Sequence, residues 1–443
     1  MQRTFLVAIA ALLICCALAG CGRANSDSNS NQQPPAGQPT QSGSPTVSPS
    51  AISSPDNPSG TSGPDPSSAT EDQLIREQID SMTLEQKVGQ LAIIGLEGTT
   101  MDESTKQFIQ KYHVGGFILF KDNIASANQI LKLLNQLKET NAKEPNAVPL
   151  WLSVDQEGGK VSRMPSEFKK TPSAQKIASK NDPDYTYAIG QSLGLELGAL
   201  GFNMDFAPVL DINSNTDNPV IGDRSFGADS DSVILHGLEM MNGISSQGVA
   251  SVVKHFPGHG DTSIDSHHSL PAVNKSLDEL SRFELLPFQE AIRNDADAIM
   301  VGHLLMTKLD DEHPASISRE VITGLLRERM GYDGVVMTDD MTMKGLTGGN
   351  DIGDAAVKAI LAGGDVLLVC HEYNLQQKVL DTVKQRVEDG TISNARLDES
   401  VYRILRLKSK YQLRDEMIPS IDLEAVNAAI SDSLDESGSN AKN

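Results

Sequence analysis

The sequence predicts an α/β fold, a (β/α)8 TIM-type barrel, on three observations. Eight short apolar runs with strand character alternate with helical patterns over about 340 residues, the spacing of successive βα units. Nearly every predicted strand ends in a side chain able to ionise or hydrogen bond. The first strand is followed by Gly95-Leu-Glu-Gly98 rather than a glycine-rich phosphate loop, so a doubly wound open sheet is the weaker alternative.

Along the chain, Leu74, Ile75, Gln78, Ile79 and Met82 recur at helical spacing. Thr83-Leu-Glu-Gln86 forms a capping box that opens a second helix. Strands are expected at Leu91–Gly95, Gly116–Phe120, Leu150–Val154, Asn203–Pro208, Val249–Val253, Ala298–Gly302, Gly334–Thr338 and Asp365–Val369. The clearest helical patterns between them are Ala125–Leu137, Tyr185–Leu200, Ser232–Gln247, Leu277–Arg293, Arg319–Arg329, Asp354–Ala362 and Leu375–Glu388. The barrel is expected to occupy residues 71–415, with a short polar tail over 416–443 and no second C-terminal domain.

Before residue 71 the composition changes. Arg3 precedes an apolar stretch, Phe5 to Ala19, too short and too early for an ordinary membrane span. It ends in Leu18-Ala19-Gly20-Cys21, which resembles the lipobox of bacterial lipoproteins. That resemblance implies a signal peptide over residues 1–20, cleavage before Cys21 and diacylation of its sulfur. The expected location is extracytoplasmic, with a lipid anchor in the bacterial cell membrane. Residues 21–70 are mostly Ser, Pro, Asn, Gln and Gly, too poor in large apolar groups to offset the entropy of ordering a backbone. As a flexible tether they span on the order of 40 Å root-mean-square.

The net charge of −22 argues against a nucleic-acid surface. Of the four cysteines, only Cys21 and Cys370 would remain after cleavage, and no structural disulfide is expected because Cys21 would be acylated. No cofactor is expected.

A barrel concentrates function at the C-terminal ends of its strands. Those ends read Lys121-Asp122, Asp155-Gln-Glu157, Asp205 to Asp211, Lys254-His255, His303, Asp339-Asp340 and His371. A strand-end aspartate such as Asp339 or Asp340 can be a nucleophile, a general base or a metal ligand, or it can cap the following helix. Strand alternation turns only one of the pair toward the barrel axis without saying which. The densest stretch is Lys254-His-Phe-Pro-Gly-His-Gly-Asp-Thr-Ser-Ile-Asp-Ser-His-His268. Its His255, His259, Asp261, Asp265, His267 and His268 match neither His-Glu-x-x-His nor the usual dinuclear spacing, so no metal is expected. Asp265 and His267 supply an imidazole with an orienting carboxylate two residues away, fit for proton transfer. His259 and Asp261 are read as shaping the turn.

The stretch Lys254 to His267 resembles the signature of glycoside hydrolase family 3, in its β-N-acetylhexosaminidase branch. So do Asp155-Gln-Glu-Gly-Gly-Lys-Val-Ser-Arg163, Phe206-Ala-Pro-Val-Leu-Asp211, Gly222-Asp-Arg-Ser-Phe-Gly227 and Thr338-Asp-Asp-Met-Thr-Met343. The resemblance implies Asp339 as the nucleophile and His267 as general acid/base oriented by Asp265. It implies Asp155, Arg224, Lys254 and His255 as groups holding the sugar, and gives Asp340 no clear catalytic role. Lys160 stands where the family often has arginine, and Arg163 and Asp211 are read as structural. With only about thirty residues after Leu413, the proton donor is expected from the barrel's own loops, which favours this branch over β-glucosidases or xylosidases.

Anchor, tether and pocket together lead to an expected exo-β-N-acetylglucosaminidase acting on peptidoglycan fragments. Phosphorolysis is an alternative, because an imidazole repels phosphate less than a glutamate would. A non-catalytic sugar-binding lipoprotein is another. It would need aromatic stacking platforms, yet aromatic residues are 4% and Trp151 is the single tryptophan.

Overall fold

Each of the eight apolar runs becomes a strand of one parallel sheet in the computed structural model, which describes residues 70–263, 269–348 and 351–435. The strands are β1 Ala92–Gly95, β2 Gly116–Leu119, β3 Trp151–Val154, β4 Met204–Asp205, β5 Ala250–Phe256, β6 Ala298–Val301, β7 Val335–Thr338 and β8 Leu367–Val369. Their order is β8-β1-β2-β3-β4-β5-β6-β7, and a parallel bridge between Met337 and Val366 joins the last strand to the first. The ring is thereby a (β/α)8 barrel. Its strands are buried on both faces, which is why they read as unbroken apolar runs rather than alternating ones. Two further short strands, Ala272–Val273 and Leu305–Met306, pair in parallel outside the ring.

The helices begin where cap chemistry allows. Thr70 and Thr83 each accept a backbone N–H from the third helical residue, Gln73 or Gln86, whose side chain returns a bond to the cap. Ser126, Asp182 and Asp229 cap the helices Ala127–Asn141, Pro183–Leu200 and Ser230–Ser245 in the same way from one side.

Three segments differ from expectation. The pattern Leu277–Arg293 divides into Leu277–Ser281 and Leu286–Arg293, because Pro287 has no N–H to continue a helix but suits a first turn. Arg319–Arg329 is wound as a π-helix over Glu320–Arg329. The segment expected to be a polar tail contains the helix Leu423–Asp435, which buries Val426 and Ile430, one turn apart. Its Asn427 accepts the Lys169 N–H at 2.7 Å and donates to the Glu167 carbonyl at 2.8 Å, pinning the loop that follows β3. An acidic composition hid a helix with one narrow apolar stripe.

Helices Pro183–Leu200 and Ser230–Ser245 approach through Gly190 and Gly243. A Cβ on Gly243 would lie 2.4 Å from the Tyr187 carbonyl and 2.9 Å from the Gly190 Cα. Backbone cannot yield as a flexible side chain does, so Gly243→Ala should destabilise the fold by about 1–3 kcal/mol. Urea denaturation followed by circular dichroism measures this, with the midpoint expected to fall at an unchanged slope.

Candidate active site

The floor of the site begins with a buried ammonium. Lys254, on β5, is 2% exposed, and its Nζ lies 2.6 Å from Asp155 Oδ1 and 2.7 Å from Glu157 Oε1. Glu157 in turn takes a two-pronged contact from Arg224, with Nε to Oε2 and Nη2 to Oε1 both at 2.7 Å. Burial works against the charges of Glu157, Lys254 and Arg224, but mutual attraction prevails. Arg224 and Lys254 hold the Glu157 carboxyl well below its usual range, while Asp155 and Glu157 raise the Lys254 ammonium above its own. Arg163 lies 3.7 Å from Asp155 Oδ2.

His255, the next residue along β5, is set by Asp211. Asp211 Oδ2 lies 2.6 Å from His255 Nδ1, and its two oxygens also accept the main-chain N–H groups of His255 and His259. Burial raises the Asp211 carboxyl, yet His255 and His259 outweigh this and leave it lowered. An ionised acceptor fixes the proton on His255 Nδ1, leaving the Nε2 edge for a ligand.

Asp339 follows β7. Burial would raise its carboxyl, but the fields of His303 and His255, the Asp340 N–H and Lys254 together bring it below the ordinary carboxylate range. Asp339 is therefore ionised at neutral pH. Asp340 also reaches the cavity wall, but its carboxylate accepts the Thr342 N–H, the Thr342 hydroxyl and the Cys370 N–H. It caps the turn and ties β7 to the end of β8. His303, buried, receives or gives a bond at Ser316 and donates from Nε2 to the Asp340 carbonyl.

Apart from Asp211 and His303, which support from behind, these groups line one cavity of about 410 Å³ at the C-terminal mouth of the barrel. The structure brings together Asp155, Arg224, Lys254, His255 and Asp339 on its walls. Asp265, His267 and Cys21 lie outside the described residues. Arg163, expected to be structural, lines the same cavity. Lys160 does not; it forms a surface pair with Asp223 at 3.0 Å, of little energetic weight. Asp261 pairs with Lys275 at 2.7 Å, and His259 bonds Thr262, so both brace the loop that leaves β5. Among the described residues no cluster of three or more metal-ligating side chains occurs.

The residue that motif reading passed over is Glu157. It was visible only as a charge two positions after Asp155, and its pairing with Lys254 and Arg224 required the fold. Behind it, Gln156 donates from its main chain to Asp205 and from its side chain to Glu196. Burial raises both carboxyls, Glu196 to about 8.

A closed (β/α)8 barrel with ionised carboxylates and buried cations at its C-terminal mouth is the architecture of an enzyme, and paired carboxylates at such a mouth suit glycoside hydrolysis among other chemistries. Residues 83–407 match the Glycosyl hydrolase family 3 N terminal domain, and the chain belongs to that family. The chain is 33% identical over 334 residues to Beta-hexosaminidase A of Pseudoalteromonas piscicida, covering 70% of itself and 56% of that protein. It is 35% identical to the Beta-hexosaminidase of Actinobacillus succinogenes, covering 66% of itself and 84% of the relative. Among solved structures it resembles the family 3 beta-N-acetylglucosaminidase of Paenibacillus sp. str. FPU-7, with a TM-score of 0.77 and 40% identity. That match covers 81% of this chain and 69% of that one.

The buried Glu196 makes stability pH-dependent. An unfolded glutamate titrates near about 4.3, whereas the folded group holds its proton to about 8. Between these values the native state binds more protons, so this group's contribution to stability falls as pH rises. Glu196→Gln should remove that fall. Denaturation at pH 5 and pH 8 should show a smaller loss for the variant than for the wild type.

Proposed function

We infer that this chain is a retaining exo-β-N-acetylhexosaminidase that removes terminal N-acetyl-β-glucosamine. The chain is a glycoside hydrolase of the β-hexosaminidase type, as its family and relatives support. The observation that carries the reaction is the placement of ionised Asp339 in the same cavity as the Asp155–Lys254–Glu157–Arg224 cluster and His255. In the proposed reaction, the buried cluster and His255 bind the hydroxyls of the terminal sugar and orient its anomeric carbon toward Asp339. The Asp339 carboxylate attacks that carbon while His267, as imidazolium oriented by Asp265, gives its proton to the departing oxygen. The bond to the leaving group breaks and an Asp339 glycosyl ester forms. Water, deprotonated by His267, then attacks the same carbon, and the retained sugar leaves with Asp339 restored.

Asp339→Asn should lower turnover of a chromogenic β-N-acetylglucosaminide by on the order of a thousandfold or more while the urea midpoint stays close to wild type. Near-normal turnover would reject Asp339 as nucleophile. His267→Ala should impair substrates with poor leaving groups far more than activated aryl glycosides, since only the former need protonation.

The location follows from the leader. Cys21 acylation would hold the enzyme on the outer face of a bacterial cell membrane, and the polar segment after it would let the barrel reach peptidoglycan fragments. Metabolic labelling with a fatty acid should mark the wild type and fail on Cys21→Ala. Equal labelling of both would refute the anchor.

A further inference from the structure

We propose that the rings of Phe120 and His371 form a stacking platform for the leaving-group sugar, a second subsite at the rim of the cavity. The proposal rests on the hexosaminidase reading and adds a role for two residues which that reading leaves unused.

The cavity is graded in depth. Its floor is made of side chains nearly removed from water, with Lys254 at 2% and Glu157 at 5% exposure. Its rim includes His371, whose side chain is 58% exposed. An enzyme that removes a terminal sugar encloses that sugar at the floor and leaves the rest of the substrate at the mouth. Both Phe120 and His371 line this same cavity.

Barrel order explains how the two rings meet. Phe120 follows β2 and His371 lies just beyond β8, and these strands flank β1. At that short spacing the ring centroids are 5.0 Å apart with planes inclined at 32°. The pair therefore stands on a different arc of the mouth from Asp155 and Lys254, which belong to β3 and β5. One edge of His371 faces a carboxylate, its Nε2 lying 3.8 Å from Asp340 Oδ2, beyond hydrogen-bond reach. Asp340 is itself anchored by Thr342 and Cys370, so the ring has a fixed neighbour.

The chemistry suits a pyranose. One face of a β-linked sugar presents C–H groups, which are apolar and carry a slight positive charge, and an aromatic face carries the complementary quadrupole. Such a platform reads little of the hydroxyl pattern. The floor would thus select the terminal sugar by charged hydrogen bonds, while the rim would tolerate different leaving sugars. The single tryptophan cannot serve this purpose, because Trp151 is 1% exposed within the barrel. Phe206 also lines the cavity but is fully buried.

The test compares two substrates in the full-length protein. N,N′-Diacetylchitobiose places a sugar on the platform, whereas β-N-acetylglucosaminyl fluoride leaves only a fluoride ion there. Phe120→Ala and His371→Ala should each lower kcat/KM for the disaccharide roughly tenfold, with losses below about twofold on the fluoride, while His371→Phe should restore most of the disaccharide activity. Equal losses on both substrates would overturn the proposal, as would an undiminished disaccharide rate. So would a His371→Phe variant as impaired as His371→Ala, since the contact with Asp340 would then matter rather than the ring face. A folded wild type inert toward the fluoride would overturn the hexosaminidase reading and this one with it.

Discussion

The Lys254 ammonium is the constraint from which the geometry of the site follows. It is 2% exposed, and an unpaired ammonium at such depth would cost several kcal/mol. Asp155 and Glu157 must therefore face it, which brings the end of β3 to β5. Glu157 then sits against Lys254 with capacity for a second cation, and Arg224 fills it through two parallel bonds. A loop far from either strand in sequence is thereby drawn over the pocket. The result is a set of donors and acceptors already oriented and already out of water, where they act more strongly on a bound sugar than they would in solution.

Around that cluster, other carboxylates act on the backbone. Asp211 gathers the main-chain N–H groups of His255 and His259, and Asp340 gathers those of Thr342 and Cys370. Each holds a strand end in a shape that the ladder alone would not impose. Asp205 and Glu196 lie further back, where burial raises both carboxyls, Glu196 to about 8, so at neutral pH Glu196 fills space and hydrogen bonds without adding negative charge beneath Asp155 and Glu157. The chain's large acidic excess is thus not spread evenly through the site. Its carboxylates differ in work because their surroundings differ.

Much of this was legible beforehand. The eight strands stood out because parallel strands buried on both faces are continuous apolar runs, and the barrel then made their C-terminal ends the place to look. The choice between Asp339 and Asp340 was not legible from alternation, because both reach the cavity wall. They separate only through partners: Asp340 is occupied by the turn it caps, while Asp339 accepts just its neighbour's N–H among the described bonds. The helix Leu423–Asp435 was missed because two buried residues in an acidic segment give a weak periodic signal. Its packing site on the helix Pro183–Leu200 exists only in the folded chain.

By itself, then, the amino-acid sequence determined the repeating βα architecture, the helix starts and the chemical inventory at the strand ends. These are local properties, set by periodicity, capping and residue type over a few neighbouring positions. The tertiary structure decided which groups became partners. Lys254 and Asp155 are 99 residues apart, and Arg224 and Glu157 are 67. The same long-range closure put Phe120 beside His371 across the end of β1. Charge and ring contacts at such separations depend on how the barrel closes, and no local pattern encodes that.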